Sequence, residues 1–219
     1  MQIEWKGSPN FWKDRKLGGV QHKIKHVVIH WFGTGTLESA NTRFQNPANQ
    51  TSAHYGISKG RVWQWVKEQD ASWNSGNQTM NLECIGIEHD ATLNGHDLAE
   101  QDYQHSGELV AAICKRYNLP IDRKTIIGHR EVKPTQCPGT VNIDKIIAIA
   151  KSLSDTKPML EIVNDNGTYF LVGEKGKLGI TDGKGLDFYR KLTDKERTGS
   201  TAGIPSVGTF GETLGVDLD

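Results

Sequence analysis

The stretch HVVIHWFG, from His26 to Gly33, is a short apolar run closed by a glycine. A run of that length, rich in β-branched residues and bounded by a turn-former, reads as a buried strand. Its polar exception is His30, set among residues that belong in a core. Working outward, TLESANTRFQN opens on Thr36 as a helix cap, carries a short helical pattern and is stopped by Pro47. SAHYGIS and RVWQWV read as two strands joined at Lys59 and Gly60, a hairpin. CIGIEH, Cys84 to His89, is a further strand. The segment from Leu98 to Asn118 has helical spacing, with Leu109, Ile113 and Tyr117 on one face. KTIIGH is another strand and NIDKIIAIAKSL, Asn142 to Leu153, another helix. Strands and helices interleave throughout, which predicts an α/β domain with a mixed central sheet flanked by helices.

After Leu153 the character changes. SDTKP, Ser154 to Pro158, reads as a linker. The stretch MLEIVNDNGTYFLVGEKGKLGITDGKG then gives short strands separated by DNG, EKG and TDG turns, a hairpin signature. LDFYRKL suits a short helix, and the tail from Thr198 holds small turn-formers with little to pack. The expected organisation is a larger α/β domain over 1–153, a linker over 154–158 and a small β-rich domain over 159–219, with stability or oligomerisation as candidate roles of the last.

Composition narrows the class. The 219 residues are 36% hydrophobic and 24% charged, ordinary for a globular protein. No apolar run approaches the ~20 residues needed to cross a bilayer, so no membrane insertion is expected. The start, MQIEWKGSPNFWKDRK, has no apolar core of a secretory signal. Lys+Arg and Asp+Glu balance at 26 each, although Met1 to Lys67 carries 10 basic residues against 3 acidic ones. No interleaving of Lys or Arg with aromatics supports single-strand binding, and no nucleic-acid partner is expected. Three cysteines form no disulfide framework. Cys84 and Cys114 sit among apolar residues and read as small core residues. Cys137 sits in a polar loop, where that reading fails.

That loop is GHREVKPTQCPG, Gly128 to Gly139. Its histidine and cysteine are eight positions apart, a spacing that allows REVKPTQ to fold them together or to leave them as chance neighbours. Imidazole nitrogen and thiolate sulfur suit a borderline-soft cation. Catalytic zinc commonly takes three protein ligands and keeps a fourth position for water. His30 is the best third ligand, because an imidazole ending an apolar strand needs a partner. Glu88 ends another apolar strand, where a carboxylate is costly unless paired or functional. Beside an activated water it would serve as a general base. Trp63 and Trp65 could line a groove or pack in the core, whereas Trp73, in a polar glycine-containing loop, is the better substrate contact.

Taken in order, VVIHW, SAHYGI, WNSGN, CIGIEHD and GHREVKPTQCPGT resemble the zinc-dependent N-acetylmuramoyl-L-alanine amidase 2 family, which is related to peptidoglycan recognition proteins and includes many bacteriophage endolysins. The resemblance covers His22 to Leu153. It implies Zn2+ held by His30, His129 and Cys137, Glu88 as general base and Thr135 as an oxyanion donor. The implied partner is bacterial peptidoglycan, cut between N-acetylmuramic acid and L-alanine, with 1–153 as the catalytic domain and cell-wall binding as a further candidate role for 159–219. The departures are Ala53, where some relatives carry a catalytic tyrosine, with Tyr55 two positions on, and WNSGN where relatives often have WHAGN. Asn74 can hydrogen-bond a peptide or sugar but binds metal poorly. His54 is either a substrate-side hydrogen bonder or a sheet residue held by its neighbours. The expected protein is a monomeric endolysin, made in a host cytoplasm without a signal and acting on the wall after release. The alternatives are a non-catalytic recognition module, a cytoplasmic recycling amidase, or a metal-free protein with a redox thiol at Cys137.

Overall fold

A computed structural model describes residues 1–90 and 98–154, and the backbone of three strands at 161–165, 168–173 and 176–180. The chain divides into two compact units, Met1–Asp155 and Thr156–Asp219.

The first unit is built on six strands: β1 (Ile3–Trp5), β2 (His26–Ile29), β3 (Tyr55–Ser58), β4 (Arg61–Gln64), β5 (Cys84–His89) and β6 (Ile126–Gly128). They lie in the order β1-β4-β3-β5-β2-β6. Only β3 and β4 pair antiparallel; every other neighbouring pair is parallel. The sheet is therefore mixed, as the interleaved pattern predicts. The β3–β4 turn puts Lys59 and Gly60 at φ 52° and 73°. The Asp102 carboxylate accepts from both of their amides, at 2.9 and 2.7 Å.

The same unit holds helices α1 (Leu37–Gln45), α2 (Gln78–Glu83), α3 (Glu100–Tyr117) and α4 (Ile143–Ser154), with two short two-stranded ladders beside the main sheet. Thr36 caps α1 reciprocally with Ser39, satisfying amides that the first turn leaves open. Leu37, Ala40 and Phe44 of α1 pack on Trp63 and Trp65 on one face of the sheet. Tyr103, Leu109, Val110 and Ile113 of α3 join Ile146, Ile147 and Ala150 of α4 on the other, over Val27, Ile29, Ile57, Ile85 and Ile87. Each such aliphatic side chain contributes about 1.5–3 kcal/mol by leaving water.

Strand alternation then places the polar residues. In β5, Ile85 and Ile87 enter the α3–α4 core, and His89 follows them, its Nε2 2.8 Å from Ser106 Oγ on α3. The residues between them, Cys84, Gly86 and Glu88, face the opposite side. His30 immediately follows β2, so its strand ends four residues before Gly33 rather than running to it. Trp63 and Trp65 take the core alternative. The N-terminal segment supplies an edge strand that the sequence pattern did not announce.

The second unit contains three antiparallel strands, β7 (Glu161–Asp165), β8 (Thr168–Gly173) and β9 (Gly176–Ile180), in a simple meander. The expected helix LDFYRKL and the tail from Thr198 lie outside the described residues. Among the described residues no helix is long and apolar enough to cross a membrane.

Candidate metal centre and groove

Between α1 and the ends of β2 and β5 lies a groove of about 490 Å³, lined by His30, His129, Cys137, Glu88, Asn74 and Arg43 among others. One ligand atom from each of His30, His129 and Cys137 lies within 4.8 Å of the others. Cys137 Sγ is 3.6 Å from His30 Nδ1, and the two imidazole centroids are 4.4 Å apart.

The loop after β6 is held in the shape this requires. The Arg130 amide donates to the Cys137 carbonyl at 3.0 Å. The Arg130 guanidinium reaches the Gln136 and Gly139 carbonyls at 2.9 and 2.8 Å. Glu131 accepts from the Gly128 amide and from Arg123, both at 2.7 Å. These ties fold REVKPTQ back on itself. Cys137, polar-flanked in sequence, ends up buried.

Electrostatics prepare the donors. Burial holds His30 down to about 3, and the neighbouring His129 reinforces this. Burial lowers His129 as well. Both rings are therefore neutral near pH 7, the form that binds a cation. Burial pushes the Cys137 thiol up, with Glu88 adding to the effect, so binding a metal releases a proton there. Each imidazole spends its Nε2 elsewhere: His30 Nε2 is 3.0 Å from Asn74 Oδ1, and His129 Nε2 is 3.0 Å from the Ser75 carbonyl. The second contact can only be a donation by the ring, which leaves His129 Nδ1 bare. Two neutral nitrogens and one thiol, converging with His30 and Cys137 buried and His129 half-buried, fit a borderline-soft divalent cation.

Glu88 lies at the edge of this cluster. Its Oε2 is enclosed and has no hydrogen-bond partner among the described residues. Burial raises it to about 8, against a smaller pull from Arg43. A carboxyl poised near neutrality beside a candidate cation site is suited to exchanging protons.

The other expected site residues lie as follows. Thr135 is exposed, and its Oγ1 accepts the Cys137 amide at 3.3 Å. Asn74 lines the groove, but its oxygen faces His30. Trp73 packs on Trp12 with centroids 5.5 Å apart, beside the groove rather than in its lining. His54 is fully buried, with Ser72 Oγ 2.8 Å from Nδ1 and Arg15 2.8 Å from Nε2. It immediately precedes β3, is held by its neighbours, and is not part of the groove's lining. Tyr55 is buried too, its hydroxyl donating to Glu68. Sequence reasoning missed Arg43, a helix-surface cation that turns out to line the groove, and Ser75, which acts through its backbone.

A family model described as N-acetylmuramoyl-L-alanine amidase matches residues 20–140. The chain belongs to this amidase family. A probable N-acetylmuramoyl-L-alanine amidase of Bacillus licheniformis is 26% identical over 133 residues, covering 52% of this chain and 36% of that protein. The N-acetylmuramoyl-L-alanine amidase A of Achromobacter lyticus is 34% identical over 93 residues, covering 41% of this chain and 51% of that one. The match thus spans about a third to a half of the length of these curated relatives. Among solved structures, a mutant endolysin from Bacillus subtilis is similar with a TM-score of 0.52, at 20% identity, over 68% of this chain and 98% of that one. The likeness shows that this chain has the amidase fold.

Proposed function

We propose that the protein is a zinc-dependent N-acetylmuramoyl-L-alanine amidase that cuts bacterial peptidoglycan between N-acetylmuramic acid and the first alanine of the stem peptide. The observation that carries this reading is the convergence of His30, His129 and Cys137 in an open groove beside Glu88, whose Oε2 has no partner among the described residues. Family membership supports it.

His30, His129 and Cys137 are the proposed holders of zinc. Bound there, the metal supplies a Lewis acid that polarises a carbonyl and makes water more acidic. The residues do the rest. Glu88, ionised, takes the proton of the attacking water and returns it to the departing alanine nitrogen. Thr135 Oγ1 accepts from the Cys137 amide, leaving its own O–H free to donate to the developing oxyanion. The groove walls hold the glycopeptide over these groups.

In this reading the protein is a monomeric endolysin of a bacteriophage, reaching the wall after release from the host cytoplasm. The endolysin among its fold relatives favours that role. Cys137 argues for the enzyme over a non-catalytic recognition module, because the third donor is in place. Residues 1–153 carry the chemistry and 159–219 recognise the wall polymer.

Mass spectrometry of digested sacculi tests the bond broken. The expected products are peptide-free glycan bearing a lactyl carboxylate and stem peptides with a free alanine amine. Cys137→Ala should lose metal and activity together. Glu88→Ala should keep about one equivalent of zinc but lose on the order of a hundredfold or more in turnover. Lysis undiminished in Glu88→Ala would remove that residue from the mechanism.

A further inference from the structure

We propose that Asn74 is a positioning residue for the metal centre: its side-chain oxygen holds the His30 ring so that Nδ1, and not Nε2, is offered to the cation. This rests on the metal-site reading above.

The amide's orientation is determined by its other contacts. Asn74 Nδ2 faces Ser72, 2.8 Å from its Oγ and 3.4 Å from its carbonyl. A carbonyl can only accept, so the amide nitrogen belongs on that side and Oδ1 is turned to His30. Oδ1 then accepts from His30 Nε2 at 3.0 Å. With its proton on Nε2, the neutral ring has a bare Nδ1, the atom 3.6 Å from Cys137 Sγ.

The surroundings leave Asn74 little freedom. Ser72 Oγ is in turn 2.8 Å from His54 Nδ1, and His54 is buried against Arg15. Arg15 donates to the Glu68, Leu82 and Cys84 carbonyls at 2.8, 2.8 and 3.0 Å. The backbone of the segment is held separately. Asn81 Oδ1 accepts from the Asn74 and Ser75 amides at 3.2 and 2.8 Å. The Ser75 carbonyl then takes the Nε2 proton of His129. Two consecutive residues therefore orient both imidazoles by the same nitrogen.

Gly86 gives Asn74 its room. A Cβ built there would lie 2.7 Å from Asn74 Cγ and 3.0 Å from both Oδ1 and Nδ2. That explains a glycine in the middle of the buried strand β5, where a side chain would otherwise pack. A hydrogen-bonded partner on the non-ligating nitrogen fixes ring orientation and tautomer, and removing such partners costs about 10–100-fold in metal affinity.

The test measures zinc affinity by chelator competition, and the His30 tautomer by long-range nitrogen–proton NMR of the chelated full-length protein. Wild type should bind zinc and show the His30 proton on Nε2. Asn74→Leu, similar in size but without an acceptor, should bind zinc about 10–100-fold more weakly. Asn74→Asp, which restores an acceptor, should recover most of that loss. Wild-type protein that binds no zinc overturns the metal-site reading itself. Normal zinc affinity in Asn74→Leu, or a wild-type His30 proton on Nδ1, overturns the role of Asn74 alone. Should Asn74→Leu fail to fold, the wild-type tautomer and Ser72→Ala decide. Ser72→Ala frees the far end of the amide and should weaken zinc binding by a smaller factor; unchanged affinity there counts against the proposal.

Discussion

Enclosing a carboxyl oxygen away from donors raises the energy of the charged form, and Glu88, whose Oε2 has no partner among the described residues, carries that cost in the metal-free protein. Its folded value of about 8 lies well above the ordinary 4.5. Below pH 4.5 both folded and unfolded chains keep the proton, and Glu88 is neutral in the balance. Between 4.5 and 8 the unfolded chain releases its proton while the folded chain retains it, so stability is lost as pH rises, and above 8 the loss is complete. Glu88→Gln removes the titration while keeping the shape. In chelated protein its melting temperature should match wild type near pH 4.5. It should exceed wild type near pH 9, by an amount reflecting a few kcal/mol at most. Calorimetry at the two pH values checks the sign; an equal effect at both would mean that Glu88 is solvated or paired in the folded state. The residues proposed to bind metal and exchange protons stand out without coordinates, because a histidine, a cysteine and a glutamate each sit where an apolar or loop context leaves them unexplained. Ser75 and Arg43 do not. One acts through a carbonyl that every residue possesses, and the other is an arginine on a helix surface, indistinguishable by pattern from a solvated one.

Elements were legible where a period or a cap marked them. Thr36 before α1, the Lys59–Gly60 turn and the apolar run of β5 all mark their places in the sequence, whereas β1 rests on three residues whose pairing with β4 is a tertiary event. How two helices approach each other is also hidden in single residues. Gly107 lies inside α3, where glycine costs about 1 kcal/mol relative to alanine. The fold accepts this because α4 presses against it: a Cβ at Gly107 would collide with Ile149 Cγ2. Gly107→Ala should therefore destabilise by about 1–3 kcal/mol despite its better helix propensity. Adding Ile149→Ala, which removes the obstructing methyl groups, should recover part of that loss, so the two substitutions will be non-additive. Urea midpoints of the four proteins measure the coupling. Additive effects would place the helices farther apart than described.

At the scale of the molecule, the candidate metal site, the groove and both faces of the core belong to Met1–Asp155. Residues 20–140 match the amidase family, yet the buried Arg15 lies before that stretch. It anchors the N-terminal segment to the carbonyls beneath Asn74, so a shortened chain must keep it. Nothing in the chemistry at His30, His129 and Cys137 requires the three-stranded unit that follows. If that unit holds the wall polymer, it raises the local concentration of substrate without altering the reaction, and the two contributions separate by substrate size. A chain ending at Asp155 should fold, bind zinc and cleave soluble muropeptides at a rate close to the full-length protein. On intact sacculi it should be slower by on the order of tenfold or more. Comparing the two chains on both substrates, by release of alanine amines, makes the assignment. Equal slowing on soluble and polymeric substrate would mean that the second unit stabilises the first, and equal activity on both would remove any role for it in capturing the wall.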